Sequence, residues 1–371
     1  MSIVADFPLY RMLTPLSWLY GGVTALRNRL FDWGILPSEH FPLPVICVGN
    51  LSVGGTGKTP HVEYLVRLLG GRYRLAVLSR GYKRRTRGFR LADTTDTSET
   101  IGDEPFQLKK KFPQLQVAVS EDRCEGIRRL RALPEEQRPT LLLLDDAFQH
   151  RYVKPSLSIL LTDSHRLYTR DAVLPVGRLR ESACGASRAD VVIVTKCEPL
   201  PAASDRVAIR AELALREGQT LCFSEIRYGD LSPLFPEEAP SRTLASLATA
   251  EVLLWTGIAH PEPLERWLRQ YAKRISAIVF PDHHAFTEAD VRQIEATYQS
   301  LSAAGRLMIV TEKDAARLTA LPFIPAAWRA SLYCVPIEIG FSAADEQSFN
   351  QLIESHIESF SNTIKQNKKN E

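Results

Sequence analysis

Cysteine is sparse in this 371-residue chain: Cys47, Cys124, Cys184, Cys197, Cys222 and Cys334 stand far apart, and no C-x-x-C pair occurs. That excludes a disulfide framework and a zinc-finger pattern, leaving small buried hydrophobes in a reducing compartment. An excess of one charge is also lacking. Lys and Arg number 46 against 43 Asp and Glu, a balance of +3 that gives no argument for nucleic acid as a partner. No internal repeat is visible. No charged segment leads into an apolar run at the N-terminus, where Asp6 intervenes, so the expectation is a chain without a secretory signal that stays in the cytoplasm. With 44% apolar and 24% charged residues the composition is that of a globular protein. The length suits two domains or three, at roughly 100–200 residues each.

Long hydrophobic runs are missing as well. Fifteen uncharged residues separate Arg11 from Arg27. As a helix they extend about 22 Å at ~1.5 Å per residue, too short for a ~30 Å hydrocarbon core. Gly21 and Gly22 weaken the run further. Thr14 and Pro15 read as a cap and first helical position, after which Leu16, Leu19, Tyr20, Val23, Leu26 and Leu30 follow helical spacing. Trp18, Trp33, Arg11, Arg27 and Arg29 suit a helix lying in a membrane interface. Packing of the same helix on its own domain fits the pattern equally well.

What is present is an alternation of apolar runs and amphipathic stretches. Pro44–Val48, Leu75–Leu78, Leu115–Val119, Leu141–Leu144, Ser158–Leu161 and Val191–Val194 read as strands, several without polar alternation, as in parallel sheets covered on both faces. Helices fall between them, His61–Leu69 among them. Val252–Trp255, Ile275–Phe280 and Leu307–Val310 continue the pattern in a later block. The expected fold class is α/β: an α/β/α sandwich of the P-loop NTPase type with a mostly parallel sheet, plus a second, smaller α/β lobe. The expected divisions are an N-terminal helix region at 1–33, a P-loop domain at 34–215 and a linker at 216–245 containing Pro236–Arg242. A smaller lobe at 246–345 and a polar, frayed tail at 346–371 complete them.

The strongest local signal is VICVGNLSVGGTGKTPHVEYLVRLL. A strand runs into Ser52, Val53, Gly54, Gly55, Thr56, Gly57, Lys58 and Thr59, and an amphipathic helix starts at once. Glycines there let backbone N–H groups turn toward phosphate oxygens at a helix N-terminus. Lys58 reaches the β- and γ-phosphates, and the Thr59 hydroxyl ligates Mg²⁺. The one departure is Ser52 where the G-x-x-x-x-G-K-[ST] pattern has its first glycine. The apolar strand LLLLDD delivers Asp145 and Asp146, as metal-holding carboxylates require.

Three classes of P-loop protein compete. A guanine-reading switch needs N/T-K-x-D, and Thr195-Lys196-Cys197-Glu198 matches only in part. A partitioning-type ATPase needs a second lysine where Val53 stands. A small-molecule kinase needs a base and cations for its acceptor. LSRGYKR, with Arg80 and Tyr82, opens a segment from Arg72 to Arg90 with eight Lys/Arg and no acid, placed where a strand end faces the nucleotide crevice. An acidic acceptor or an anionic membrane surface suits it. GDEP then places Asp103 at a turn into a helix, where the residue type also serves as a cap.

GNLSVGGTGKTP, LSRGYKR, GDEP, LLLLDDAFQHR, LPVGRLRE, RADVVIVTK, WTGIAHPE, FPDHHAF and VTEKDAARL occur in this order over residues from about 10 to 320. The chain resembles the tetraacyldisaccharide 4'-kinase family, the lipid A 4'-kinases of Gram-negative bacteria. The resemblance implies two α/β/α lobes with the site between them. It also implies transfer of the γ-phosphate of ATP to the 4'-hydroxyl of a tetraacylated glucosamine disaccharide 1-phosphate, giving lipid IVA, with ATP and Mg²⁺ as cofactors. By the same resemblance the enzyme sits peripherally on the cytoplasmic face of the inner membrane, held by the N-terminal helix and the basic loop. No nucleic acid and no obligate protein partner are expected.

Carried over residue by residue, Asp103 is the family's base. It is paired with His283, although the adjacent His284 leaves the choice of imidazole open. Arg180 and Glu181 stand near the phosphates and metal, with Lys58, Thr59, Asp145 and Asp146. Arg80, Tyr82 and Asp282 fall on the substrate side, and Arg123 is peripheral. Ala147, Val176, Arg178, Ser182 and Ala259 depart from the usual family residues, and none of them removes a proton-transfer or metal-binding group. The competing reading is a P-loop GTPase or ATPase switch acting on a protein partner.

Overall fold

The computed structural model describes residues 8–282, 284, 286–302, 305–318, 321 and 324–370. Helix α1 (Pro8–Asp32) comes first, then β1 (Val45–Asn50), α2 (Lys58–Leu69), β2 (Leu75–Ser79), β3 (Arg90–Leu91), α3 (Ser98–Ile101) and α4 (Asp103–Lys111). β4 (Gln116–Val119), α5 (Arg123–Arg131), β5 (Leu141–Asp145), β6 (Leu157–Asp163), β7 (Val191–Thr195), α6 (Ala203–Glu212) and β8 (Thr220–Tyr228) follow. The second lobe holds β9 (Ser232–Pro233), β10 (Glu251–Thr256), α7 (Glu262–Leu268), β11 (Arg274–Val279), α8 (Glu288–Gln299), β12 (Arg306–Thr311), α9 (Glu312–Leu318) and β13 (Leu332–Val335). The chain then returns to the first lobe through β14 (Ile337–Phe341) and α10 (Ala343–Asn370).

The large sheet runs β14-β8-β7-β6-β1-β5-β2-β4-β3, parallel except at its edges, where β14 and β3 are antiparallel to their neighbours. Every residue of β1, β2, β5 and β7 is buried, as strands covered on both faces must be. Ile46 and Val48 face Val62, Leu65, Val66 and Leu69 of α2; Val45 and Cys47 face the layer that includes Ile127 and Leu130 of α5. The second sheet, β11-β10-β12-β13-β9, packs Trp255, Trp328, Phe286 and Ile294 into its own core. All nine strands expected from the sequence are present, within a residue or two at each end.

Three expectations are corrected. Helix α1 is described from Pro8, so Pro15 lies inside it and not at its start. The Thr14-Pro15 pair carries the local signal of a helix start without being one. The stretch 216–245 is not a simple linker: β8 lies within it and pairs with β7 and β14. Glu225 and Arg227 interrupt its apolar pattern and hide the strand. The polar tail expected at 346–371 is helical over its described residues, as part of α10. Phe349, Ile353 and Ile357 recur every four residues on α10 and are buried against the α2 side of the large sheet.

Phe349→Ala should therefore cost about 3 kcal/mol or more in urea denaturation, as a large-to-small change in a core does. A change within ~0.5 kcal/mol, normal for a solvated residue, would return the segment to a tail.

Candidate active site

β1 lies between β5 and β6 at the centre of the large sheet, so the loop after it opens at the carboxyl ends of the strands, where open α/β sheets bind ligands. Gly57 caps α2 at φ 85°, a left-handed conformation in which glycine avoids a Cβ penalty. The unpaired N–H groups of the first helical turn then face the loop. Asn50 Nδ2 donates to Thr56 Oγ1 at 2.9 Å, and Lys58 Nζ lies 3.4 Å from Asn50 Oδ1. His61 braces the loop from beneath. Its Nδ1 bonds the Gly57 carbonyl at 2.7 Å and must be the donor, so Nε2 accepts from the Ser224 hydroxyl at 3.0 Å. Burial lowers the His61 pKa to about 4, which keeps the imidazole neutral.

A second segment clips onto the loop. Val53 N donates to Arg178 O at 2.8 Å and Arg180 N to Leu51 O at 2.7 Å, with Ser52 bridged to Leu179. This delivers the Arg180 guanidinium to the site, where Nη1 donates to Asp146 Oδ1 at 2.9 Å and lies 3.4 Å from Gln149 Oε1. Gln149 Nε2 in turn donates to Asn50 O at 2.8 Å and Glu181 Oε1 at 3.1 Å. The buried Glu181 also accepts from Arg188 at 2.8 Å and from Asn28 of α1 at 2.6 Å.

The two carboxylates of LLLLDD differ sharply. Asp145 pairs in register with Val48 and is buried. Burial, reinforced by the Asp146 charge, raises its pKa from 3.8 to about 7. Its Oδ1 has no hydrogen-bond partner among the described residues. Asp146 turns out at φ 50°, with Lys58 Nζ 3.7 Å from Oδ1. Burial acts upward there too, but Lys58 and Arg180 outweigh it and hold Asp146 below the usual carboxylate range. An orphaned, buried oxygen beside a second carboxylate suits a hard divalent cation. Thr59, Asp145, Asp146 and Glu181 supply oxygen donors of the right kind.

Asp103 is the first residue of α4 rather than its cap, which is Gly102. A Cβ on Gly102 would sit 3.1 Å from the Gly81 Cα, so the GDEP and LSRGYKR loops meet where only glycines fit. Arg317 of α9, from the second lobe, donates to Asp103 Oδ2 through Nε at 3.0 Å and Nη2 at 2.7 Å. His283 lies outside the described residues. His284 stacks on Phe280 and bonds Asp290 Oδ2 at 2.9 Å through Nε2, which ties it to the cap of α8. Asp282 pairs with Lys313 at 2.9 Å.

Arg80 and Tyr82 are exposed. Much of the basic segment is internally balanced, because Arg84, Arg85 and Arg90 pair with Glu121, Glu99 and Asp96. Arg123 is buried, with Nη1 on Glu121 O at 3.1 Å and Nη2 3.5 Å from Asp146 O, so it steadies the turn carrying the carboxylates. Asn28, Asn50, His61, Gln149, Arg188 and Arg317 were not singled out from sequence. Asn50, Gln149, Arg188 and Arg317 lie within the ordered motifs, the only signal that could have found them.

Helix α1 has two unlike sides. Tyr20 OH donates to Arg180 O at 3.0 Å and Arg27 Nη2 to Gln149 O at 3.1 Å, so one side is fastened to the site. Met12, Leu16, Trp18, Leu19, Val23 and Leu26 are exposed, Met12 by 76% and Trp18 by 75%. Among the described residues no helix is long and apolar enough to cross a membrane.

A strand–loop–helix of this kind, with carboxylates on the neighbouring strand and an arginine clipped across it, moves phosphoryl groups, and the fold is that of the P-loop phosphotransferases. The family model described as tetraacyldisaccharide-1-P 4'-kinase matches residues 9–358, and this chain belongs to that family. It is similar to the tetraacyldisaccharide 4'-kinase of Parabacteroides distasonis, with 55% identity over 94% of this chain and 95% of that one. The enzyme of the same name from Bacteroides thetaiotaomicron is 48% identical over 94% and 93%. In structure it is similar to LpxK from Aquifex aeolicus in complex with ATP, with a TM-score of 0.72 and 28% identity over 94% of this chain and 99% of that one.

The raised Asp145 pKa has a measurable sign. A folded value near 7 against 3.8 favours the neutral form in the fold, so its contribution to stability is present below pH 3.8 and lost as pH rises through 7. Without divalent cations, Asp145→Asn should be more stable than the parent at pH 8, by up to about 4 kcal/mol, and near-equal at pH 4. Urea denaturation across that range checks it; parallel stability curves would contradict the assignment.

Proposed function

We propose that this chain carries out its transfer with Lys58, Arg180, the Asp145–Asp146 pair and Asp103, in the cleft between its two lobes. By family, the chain is an ATP-dependent kinase of lipid A biosynthesis that phosphorylates the 4'-hydroxyl of tetraacyl-glucosamine disaccharide 1-phosphate, forming lipid IVA. The observation that carries the residue roles is the convergence of Lys58 and Arg180 on Asp146 at the mouth of the glycine-rich loop.

In this reading the loop from Ser52 to Thr59 receives the ATP phosphates through backbone N–H groups and the N-terminus of α2. Lys58 and Arg180, held by Asp146 before substrate arrives, offset charge on the transferring group. Thr59, Asp145, Asp146 and Glu181 would hold Mg²⁺, which when bound neutralises phosphate charge and orients the β- and γ-oxygens. Asp103 accepts the proton of the 4'-hydroxyl, with His283 as the partner that orients it. Arg80, Tyr82 and Asp282 meet the acceptor. The partial match to a guanine reader gains no support, since Lys196 is tied to Asp163 at 2.8 Å.

The acceptor is a lipid, and α1 suits one. Its polar side is fastened beside Arg180 and Gln149, while its exposed apolar side is free to enter the headgroup region on the cytoplasmic face of the inner membrane. Bound in that way, the helix brings the cleft to the surface from which the acceptor comes.

Transfer of label from γ-labelled ATP to the disaccharide 1-phosphate in detergent micelles tests the roles. Lys58→Ala should lose about 10²-fold or more in kcat, and Asp103→Asn should lower kcat with little change in the KM for ATP. Labelled phosphate released without labelled lipid would sink the reading. The helix is tested on vesicles containing anionic lipid: Leu16→Ser/Trp18→Ser/Leu19→Ser should move most of the protein from pellet to supernatant while preserving transfer in micelles. Unchanged sedimentation would remove α1 from membrane binding.

A further inference from the structure

The second-lobe motifs WTGIAHPE and VTEKDAARL have no role in the chemistry described so far, yet the fold brings them to one point. Asp314, fully buried at the start of α9, accepts from Gly257 N at 3.1 Å and from the Thr311 hydroxyl at 2.7 Å. Its other oxygen lies 3.5 Å from Nη1 of Arg317. One turn of helix therefore carries a carboxylate rooted in two strand ends and a guanidinium braced against it. The Arg317 side chain is only 10% exposed and reaches across the lobe boundary, where Nε and Nη2 both donate to Oδ2 of Asp103.

The docking that delivers it is fixed a second time. α4 and α9 run side by side, and at the far end of α4 Lys111 pairs with Glu312 at 2.6 Å and with the buried Glu63 of α2 at 2.7 Å. Glu312 also accepts from Ile337 N at 3.1 Å, at the point where the chain returns to the first lobe. With one ion pair at each end of the contact, the helices cannot slide without breaking a partly buried pair. Arg317 is thereby held to a narrow range of positions over Asp103.

We propose that Arg317 is a positioning residue for phosphoryl transfer, setting the Asp103 carboxylate in the orientation that receives the acceptor's proton. The inference rests on the reading of Asp103 as proton acceptor. In that step the 4'-oxygen forms a bond to the γ-phosphorus as the bond to the β-bridging oxygen breaks. ADP leaves, and the hydroxyl proton passes to Asp103. A carboxylate turns easily about its last torsion, which has broad minima, so a useful acceptor oxygen needs an external fixture. A planar guanidinium supplies one because two N–H groups in a rigid fork converge on a single oxygen, which an ammonium cannot reproduce. Since Arg317 belongs to the second lobe, Asp103 takes this orientation only when the lobes are docked, which couples the proton acceptor to the assembled cleft.

The test uses the full chain in the micelle assay. Arg317→Met should lower kcat about 10- to 100-fold with the KM for ATP within twofold of the parent, and Arg317→Lys should recover part of the loss. In an Asp103→Asn background, Arg317→Met should cost less than threefold further, because the group it positions is gone. Parent-like kcat in Arg317→Met overturns the proposal, as does an equal loss in the Met and Lys variants or the same cost in both backgrounds. If Asp103→Asn itself keeps parent-like kcat, the proton-acceptor reading fails, a result distinguishable from failure at Arg317 alone.

Discussion

The charge balance at the ends of β1 and β5 is the constraint on which the rest depends. Two carboxylates follow one another at the end of a buried strand, and burial pushes both toward the neutral form. Lys58 and Arg180 keep Asp146 ionised, whereas Asp145 is left at the edge of ionisation with an oxygen that has no hydrogen-bond partner among the described residues. Neither cation could stand where it does without elaborate backbone support. Lys58 needs the left-handed Gly57 and the His61 brace; Arg180 needs the clip between residues 51–53 and 178–180. The site is poised against an unfavourable burial, and a preorganised electrostatic site has that character.

A second layer ties this centre to the periphery. Gln149 touches Asn50, Arg180 and Glu181, and Glu181 touches Asn28 of α1. The helix with the exposed apolar side is thus one hydrogen bond from a carboxylate beside the nucleotide loop. On the opposite flank the second lobe reaches Asp103 through Arg317. The cleft is assembled from three parts of the chain, and α9 of the second lobe joins the first both through Arg317 and through Ala316, which is buried in the same core as Phe106 and Leu108 of α4.

How much of this was legible in the sequence depended on whether the signal was local. β1, β5 and β7 are continuous apolar runs bounded by turn residues, and they were found. The glycine-rich loop announces itself because phosphate binding requires its backbone form. β8 was hidden by Glu225 and Arg227, and α10 by a composition so polar that three buried residues in register were overlooked. His61 could not be read at all, being an ordinary helix residue until β8 brings Ser224 to it, and Arg317 carried only its place in VTEKDAARL until α4 docks on α9. His284 shows the converse. It stands beside His283 in the sequence, and the fold bonds its Nε2 to Asp290 and stacks its ring on Phe280.

The return of the chain through β14 and α10 bears on the order of synthesis. The core on the α2 side of the first lobe is closed by Phe349, Ile353 and Ile357, which leave the ribosome only after the whole second lobe has done so. The second lobe, with its own sheet and core, can fold while the first still exposes the apolar side of α2. For that interval the nascent chain carries a finished module inserted into an unfinished one, and the nucleotide loop rests on a helix without its cover. An interruption of translation within the segment 343–357 would therefore release not a shortened kinase but a chain with an open core, a substrate for chaperones and proteases rather than for ATP.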